Sequence, residues 1–596
     1  MLKFLEPFKW SGKFTSKIRK FSFWLSLLAV FLVIFDLGFK KSPHTADSLI
    51  TFYMYALMVG CISIGLRYLL YSGRPGIKVR VIDIILLTLF LFLILLKIDL
   101  ITDHLGFLSF FNKKGWLHLA LLLYFIREYS SLKIDFNRQY LNPAQLFIAS
   151  FLLIILFGTF LLLLPNATYS GISLVDALFT STSAVCVTGL IVVDTGSFFT
   201  QFGQNVILVL IQLGGIGIMT FASYFSYFFR GQSSYENQLT MRDMTNSEKI
   251  GEVFSVLKKI ITITFSIELV GAILIFFSLD NIQFTSFADK IFFSIFHSIS
   301  GFCNAGFSTL ENSLYEPGFQ FNYPLHLIIA LLFILGGLGF PIVLNVITYF
   351  RHLIINRILP VGNNKKVLHR PWVLNINTRI VMVTTFLLLS LGTLFFYFLE
   401  YNNTLAIHSS EFGKIVTAFF GAATPRTAGF NSVDTSALNF TTLMMIFLLM
   451  WIGASPASTG GGIKTSTFAI ATLNFLSLAK GKNRIEIYRR EIADISVRRS
   501  FAIISLSFLV IGMSVMFIVA FEPEHTLLKI AFEAFSAYST VGLSMGLTSS
   551  LSDYSKLVLV ATMLIGRVSM LTILIALMRR VKHLNYRYPT EEILIN

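Results

Sequence analysis

Runs of about 17–26 apolar residues recur along the whole 596-residue chain, and they constrain its fold more than any other feature. A helix of that length crosses a hydrocarbon layer of ~30 Å. We place spans near 22–38, 49–71, 81–100, 116–127, 146–164, 205–229, 254–279, 325–350, 375–399, 441–478, 500–521 and 555–578. Charged residues make up only 13% of the chain and hydrophobic ones 55%. A typical soluble protein carries about 25% charged residues, so lipid must be the main solvent here. The sequence predicts an all-α polytopic membrane protein. Its first apolar run follows Lys13, Lys17, Arg19 and Lys20 and lacks a small-residue cleavage site, so we read it as a retained span. Cys61, Cys186 and Cys303 lie far apart in or beside apolar stretches, which argues against a disulfide framework or a thiolate metal cluster.

The net charge of +16 raises the question of nucleic acid, but the basic residues sit in short loops between spans, the pattern of membrane topology. With Met1 on the cytoplasmic side, the inside segments hold 35 of the 47 Lys and Arg. That split places both termini in the cytoplasm of a multi-pass plasma-membrane protein. Arg426, Lys464 and Arg567 are left at membrane depth.

The last 450 or so residues contain a fourfold repeat of span, half-length apolar segment, glycine-bearing loop and span. The loops are Val187-Thr188-Gly189, Asn304-Ala305-Gly306, Thr427-Ala428-Gly429 and Thr540-Val541-Gly542, with glycines 117, 123 and 113 residues apart. A second glycine follows 25, 30, 24 and 24 residues on, at Gly214, Gly336, Gly453 and Gly566. Close helix packing accounts for the second set. The first set needs another reason, because each loop follows a segment too short to span.

Those segments, near 173–186, 287–301, 411–423 and 526–538, read as re-entrant half-helices whose negative ends aim at the membrane centre. Asp176, Asp289 and Glu411 sit near the starts of the first three. Non-helical backbone at that depth must be buried in protein or line a water-filled cavity. Glycine permits the angles that turn carbonyl oxygens inward, and four such loops can replace a cation's hydration shell. The pattern implies a cation pathway folded from one polypeptide.

These repeats resemble the pore units of the Trk/Ktr/HKT superfamily of potassium transporters. The likeness rests on the four loop glycines, on Arg426-Thr-Ala-Gly-Phe-Asn-Ser-Val-Asp434, on Ser539-Thr-Val-Gly-Leu-Ser-Met-Gly-Leu-Thr548 and on Tyr586-Arg-Tyr-Pro-Thr-Glu-Glu. It covers roughly 146–596 and is closer to the bacterial Ktr-type membrane subunit than to Trk-type ones. It implies potassium uptake through the four loops, and Gly189 implies preference for K+, since a serine at that place accompanies sodium transport in plant relatives. It also implies a homodimer seated on a cytosolic ring of nucleotide- and NAD-binding subunits. Domain expectations follow: a membrane extension of four helices (1–145), pore repeats at 146–230, 254–350, 375–480 and 500–580, and a cytoplasmic tail (581–596). The extension shows neither a pore-like loop nor acidic pairs, and its role stays open.

The span after the third loop is interrupted by Gly453-Ala-Ser455-Pro456-Ala-Ser-Thr-Gly460-Gly461-Gly462-Ile-Lys464-Thr-Ser466. Proline and consecutive glycines weaken a helix, so this stretch is a candidate occlusion beneath the loops, and in Ktr-type relatives the matching stretch is an intramembrane gate. Ile463 separates the glycines from Lys464, so the phosphate-loop pattern fails. Lys464 either belongs to this gate or snorkels toward the cytoplasm. Arg567 either faces the pathway, as the resemblance implies, or pairs with a buried acid such as Glu268. No cofactor motif is present: K+ is the expected cargo, with Na+ as the alternative or coupled ion. A membrane-embedded enzyme would need a convergent His, Asp or Glu cluster, for which the sequence offers no candidate.

Overall fold

The computed structural model describes residues 12–70, 77–98, 111, 113–131, 143–217, 253–280, 284, 286–358 and 374–577. The tail at 581–596, the basic loop at 365–370 and the end of the first repeat at 218–230 lie outside these residues. Four helices, α1 (Gly12–Gly38), α2 (Pro43–Leu70), α3 (Ile77–Lys97) and α4 (Lys114–Ser131), pack into a bundle around Ala29, Leu57, Phe90 and Leu121. The bundle meets the rest of the chain where Asn166 bonds the backbone carbonyls of Gly38 and Leu37, at 2.9 and 3.0 Å.

The bundle holds its charged side chains in acid–base pairs. Arg127 bonds both oxygens of Asp83 at 2.5 and 3.0 Å, Tyr68 donates to Asp83 at 2.8 Å, and Arg67 pairs with Glu128. At the opposite end Asp36 accepts from Lys41 and meets His118 Nε2 at 2.6 Å. Buried charges need partners, and these lie on different helices.

The remaining helices repeat a motif. The first unit is α5 (Pro143–Leu162), α6 (Leu174–Cys186) and α7 (Gln201–Ile216); the second is α8 (Val253–Ser278), α9 (Phe287–Cys303) and α10 (Tyr323–Leu338) followed by α11 (Phe340–Ile358). The third is α12 (Ile376–Glu400), α13 (Glu411–Ala423), α14 (Phe440–Trp451) and α15 (Thr465–Ala479), and the fourth is α16 (Asp494–Phe521), α17 (Leu527–Ser539), α18 (Asp553–Val568) and α19 (Met570–Leu577). Ser173 and Ser286 cap α6 and α9, each accepting the backbone N–H of an aspartate three residues on, Asp176 and Asp289. Helix α7 packs on α9, α10 on α13, α14 on α17, and α18 back on α6, so the four units close into a ring. Lys556 and Asp176, 2.7 Å apart, tie the last unit to the first.

The expectation of twelve continuous spans needs correction. Among the described residues six helices are long and apolar enough to cross a membrane, or seven if the pair α10 and α11, bent by 103°, is one span. In four of the other six expected spans, the second helix of a unit stops or breaks before it is long enough, and the remaining two, α4 and α5, fall outside the six without such a break. Residues Gly217, Gly339 and Ser569 take φ of 82°, 84° and 75° with extended ψ, which no α-helix accommodates. Each lies three residues past the small glycine at 214, 336 or 566. The third unit replaces this single hinge with the non-helical stretch 452–464.

Candidate functional site

Each loop carries the same pair of left-handed residues, directly at the helix C-cap in the first, second and fourth units and three residues past the right-handed cap Thr424 in the third. The residue two before the loop glycine is left-handed, with φ of 58° at Val187, 60° at Asn304, 73° at Thr427 and 49° at Thr540. The glycines follow suit at 87°, 69°, 79° and 93°. A non-glycine residue pays ~1–2 kcal/mol for that geometry, and for β-branched Val187 it is a genuine outlier. Backbone bonds hold it: Thr188 N–H reaches Ser183 O at 2.8 Å, Ala305 reaches Ser300 at 2.8 Å, Ala428 reaches Thr424 at 2.9 Å and Val541 reaches Ser536 at 2.9 Å. Strain kept at one place in four copies marks a site rather than an accident.

The loops meet. A Cβ on Gly189 would strike the Ala305 carbonyl oxygen, one on Gly306 that of Ala428, one on Gly429 that of Val541, and one on Gly542 that of Thr188. The order runs first to second, second to third, third to fourth and fourth to first. In every case the obstacle is the carbonyl of the residue just before the neighbour's glycine. Here glycine is required by close approach as well as by its dihedral angle.

The stretch 452–464 lies directly against these loops. Thr459 donates to Asn304 Oδ1 at 2.9 Å, and Gly461 N–H donates to Thr540 Oγ1 at 2.9 Å. A Cβ on Gly460 would collide with Thr427 Oγ1, and one on Gly461 with Thr540 Oγ1. The glycine run thus serves tight contact and not only a break in the helix. Ser455 N–H bonds Gly337 O at 2.9 Å, Pro456 O lies against Gly339, and Thr465 N–H returns to Ala454 O at 3.2 Å, which anchors both ends. Lys464 Nζ is turned back onto Gly460 O at 2.6 Å. Arg567 donates to Thr459 O and, at 2.6 Å, to Gly214 O. Glu268 is not its partner; that carboxylate accepts from Gln212 at 3.1 Å on both oxygens. Arg426, buried with its Nε unpartnered among the described residues, lines a cavity of about 10 Å³ with Thr385, Gly337 and Ala454. Cys61, Cys186 and Cys303 are free thiols.

Comparison with known proteins gives this geometry a family. Residues 117–585 match the TrkH family, described as cation transport protein. The chain belongs to the TrkH family. The potassium/sodium uptake protein NtpJ of Enterococcus hirae is 34% identical over 465 residues, 77% of this chain and 98% of that one. The Ktr system potassium uptake protein B of Vibrio alginolyticus is 36% identical over 452 residues, 76% of this chain and 94% of the relative. The crystal structure of the potassium transporter TrkH from Vibrio parahaemolyticus superposes with a TM-score of 0.58 at 17% identity, covering 95% of this chain and 98% of that one. As a TrkH-family member the chain is a multi-pass membrane transporter and not an enzyme. The matched TrkH region begins inside α4, earlier than the sequence likeness starting near 146.

Within the TrkH-family region, all twelve loop residues singled out by sequence sit in the four meeting loops, and Gly453, Ser455, Pro456, Gly460, Gly461, Gly462 and Lys464 sit in or beside the stretch below them. Arg567 joins that stretch from the fourth unit. Sequence reasoning missed Thr459, which makes the contact to Asn304 from 155 residues away, and it missed the breaks at Gly217, Gly339 and Ser569. A glycine three residues past a packing glycine was the available signal for the first two. Ser569 carries none.

Proposed function

We propose that this chain takes up K+ across the plasma membrane through the four loops, with residues 452–464 and Arg567 closing the inner half of the pathway. The observation that supports this reading best is the cyclic contact of each loop glycine with the carbonyl preceding its neighbour's glycine. A left-handed residue at every second position turns successive carbonyls toward the same side. Four loops so built can surround a dehydrated cation with backbone oxygens. Flux runs down the electrochemical gradient, to which an inside-negative potential contributes about 2.3 kcal/mol per charge per 100 mV.

In this reading the filter is Val187, Thr188 and Gly189; Asn304, Ala305 and Gly306; Thr427, Ala428 and Gly429; Thr540, Val541 and Gly542. The gate is Gly453, Ser455, Pro456, Gly460, Gly461, Gly462, Lys464 and Arg567. Both termini are cytoplasmic, as the basic loops favour. The protein works as a homodimer on a cytosolic nucleotide- and NAD-binding ring. Two observations favour a separate regulatory component: the relatives' names speak of a Ktr system, and this sequence carries no nucleotide motif.

Uptake of K+ and Na+ in a potassium-uptake-deficient host tests the assignment. The wild-type chain is expected to restore growth at low K+ and to pass K+ in preference to Na+. Gly189→Ser places a hydroxymethyl where the Ala305 carbonyl stands, so it is expected to lower that preference at least tenfold. Equal permeation of both ions by the wild type would favour a non-selective cation transporter, and an unchanged ratio in Gly189→Ser would remove that residue from the filter.

A further inference from the structure

Four buried hydroxyls stand behind the four loops: Ser183, Ser300 and Ser536 six residues before the loop glycine and Thr424 five before it. Ser183 Oγ donates to Leu190 O at 2.7 Å, Ser300 Oγ to Phe307 O at 2.7 Å, and Thr424 Oγ1 to Phe430 O at 2.7 Å. The accepting carbonyl is in each case that of the residue after the loop glycine. Ser183 Oγ also accepts from Gly189 N–H at 3.1 Å, and Ser536 Oγ accepts from Gly542 N–H at the same distance. All four side chains are no more than 5% exposed.

A hydroxyl near the end of a helix ordinarily turns back onto a carbonyl of its own preceding turn. Thr182, next to Ser183, does so with Leu178 O at 2.7 Å, and Ser294 does so with Lys290 O at 2.8 Å. Ser183, Ser300, Thr424 and Ser536 point forward instead, across the left-handed turn and onto the loop. Capping the half-helix does not require this, because the backbone carbonyls of the same four residues already close the helix ends.

We infer that these hydroxyls are positioning residues for K+ preference, an inference that rests on the uptake reading above. The trans peptide is planar, with its N–H and C=O on opposite sides. A hydroxyl holding Gly189 N–H on the outer side therefore holds the Thr188 carbonyl toward the inner side, where it lies against Gly542. Ser536 does the same for the Val541 carbonyl, which lies against Gly429. The bonds to Leu190, Phe307 and Phe430 draw the following carbonyls away from the axis and so end the column of oxygens at the glycine. Glycine flanks are the peptides most able to flip, and Ser183 and Ser536 remove that freedom at Gly189 and Gly542.

The test is the K+ to Na+ flux ratio of purified protein in vesicles. Ser183→Ala and Ser536→Ala are expected to lower the ratio about fivefold each, the equivalent of one hydrogen bond, while K+ still passes. Ser183→Thr, Ser536→Thr and Thr424→Ser keep the hydroxyl and are expected to keep the ratio. A merely structural role would lower protein yield and thermal midpoint and leave the ratio of the surviving protein unchanged; that result would overturn the inference. If the alanine variants are not recovered from membranes, Ser183→Cys, nearly equal in size but a weak donor, is read the same way, and a wild-type ratio there overturns it too. A wild-type chain without K+ preference would instead strike the uptake reading itself.

Discussion

The N-terminal bundle and the four-unit ring both bury cationic side chains, and they satisfy them in opposite ways. In the bundle Arg127 and Arg67 meet the carboxylates of Asp83 and Glu128. In the ring Arg567 and Lys464 are held by backbone carbonyls of residues 214 and 459–461. An acid partner fixes a charge and cancels it. A carbonyl partner holds the charge in place but leaves it standing, so its field still reaches a passing cation. If the 452–464 stretch opens as proposed above, it exchanges bonds to neutral carbonyls for water, which costs less than breaking a buried ion pair.

The largest effect that separates the two regions belongs to Asp83. Asp83→Ala strips Arg127 and Tyr68 of their shared acceptor, and breaking one side of a buried pair is worth about 3–5 kcal/mol. A marked fall in thermal midpoint is expected in detergent, with an unchanged K+ to Na+ flux ratio in vesicles; an altered ratio would show that the bundle acts on the pathway. Arg567→Gln should do the reverse. For scale, a unit charge ~10 Å from a monovalent cation at an effective dielectric of about 20 is worth somewhat over 1 kcal/mol, so flux is expected to rise roughly tenfold with little change in midpoint. Unaltered flux in vesicles would place Arg567 outside the energetics of permeation.

What the sequence could show follows from the range over which each constraint acts. The loops were legible because close approach and positive φ both demand glycine, and the demand is repeated four times in short local strings. Arg567 stood out because charge is scarce at membrane depth. Asp83 and Arg127, 44 residues apart, and Arg67 and Glu128, 61 apart, are joined only by the packing of the bundle, so nothing local announces them. The helix breaks were hidden for a different reason. Gly217 and Gly339 sit in strings as apolar as a continuous span, and Ser569 adopts φ 75° without glycine or proline to mark it.

Smaller effects sharpen the contrast inside the ring itself. Thr459→Val removes the bond to Asn304 while keeping the side chain's shape. One neutral hydrogen bond is worth ~1 kcal/mol, which corresponds to about fivefold more flux if that bond helps hold the stretch closed. Selectivity should not move, because Thr459 Oγ1 reaches the Asn304 side chain and the Phe302 carbonyl and none of the carbonyls that precede the loop glycines. A changed ratio would mean that gate and filter are one unit.

The smallest effect is expected at Lys556, whose bond to Asp176 closes the ring between the fourth and first units. Lys556 is buried while Asp176 stays 21% exposed, and an ion pair with one partner in contact with water contributes about 1 kcal/mol. Lys556→Met keeps the apolar stem, so the midpoint should fall by only a degree or two, and by less at high salt, where exposed charges are screened. The packing of α18 on α6 carries the closure in that case. A fall as large as that of Asp83→Ala would instead show that this seam depends on its ion pair as the bundle does, and the distinction between charge-paired bundle and packing-held ring would then fail at its outer edge.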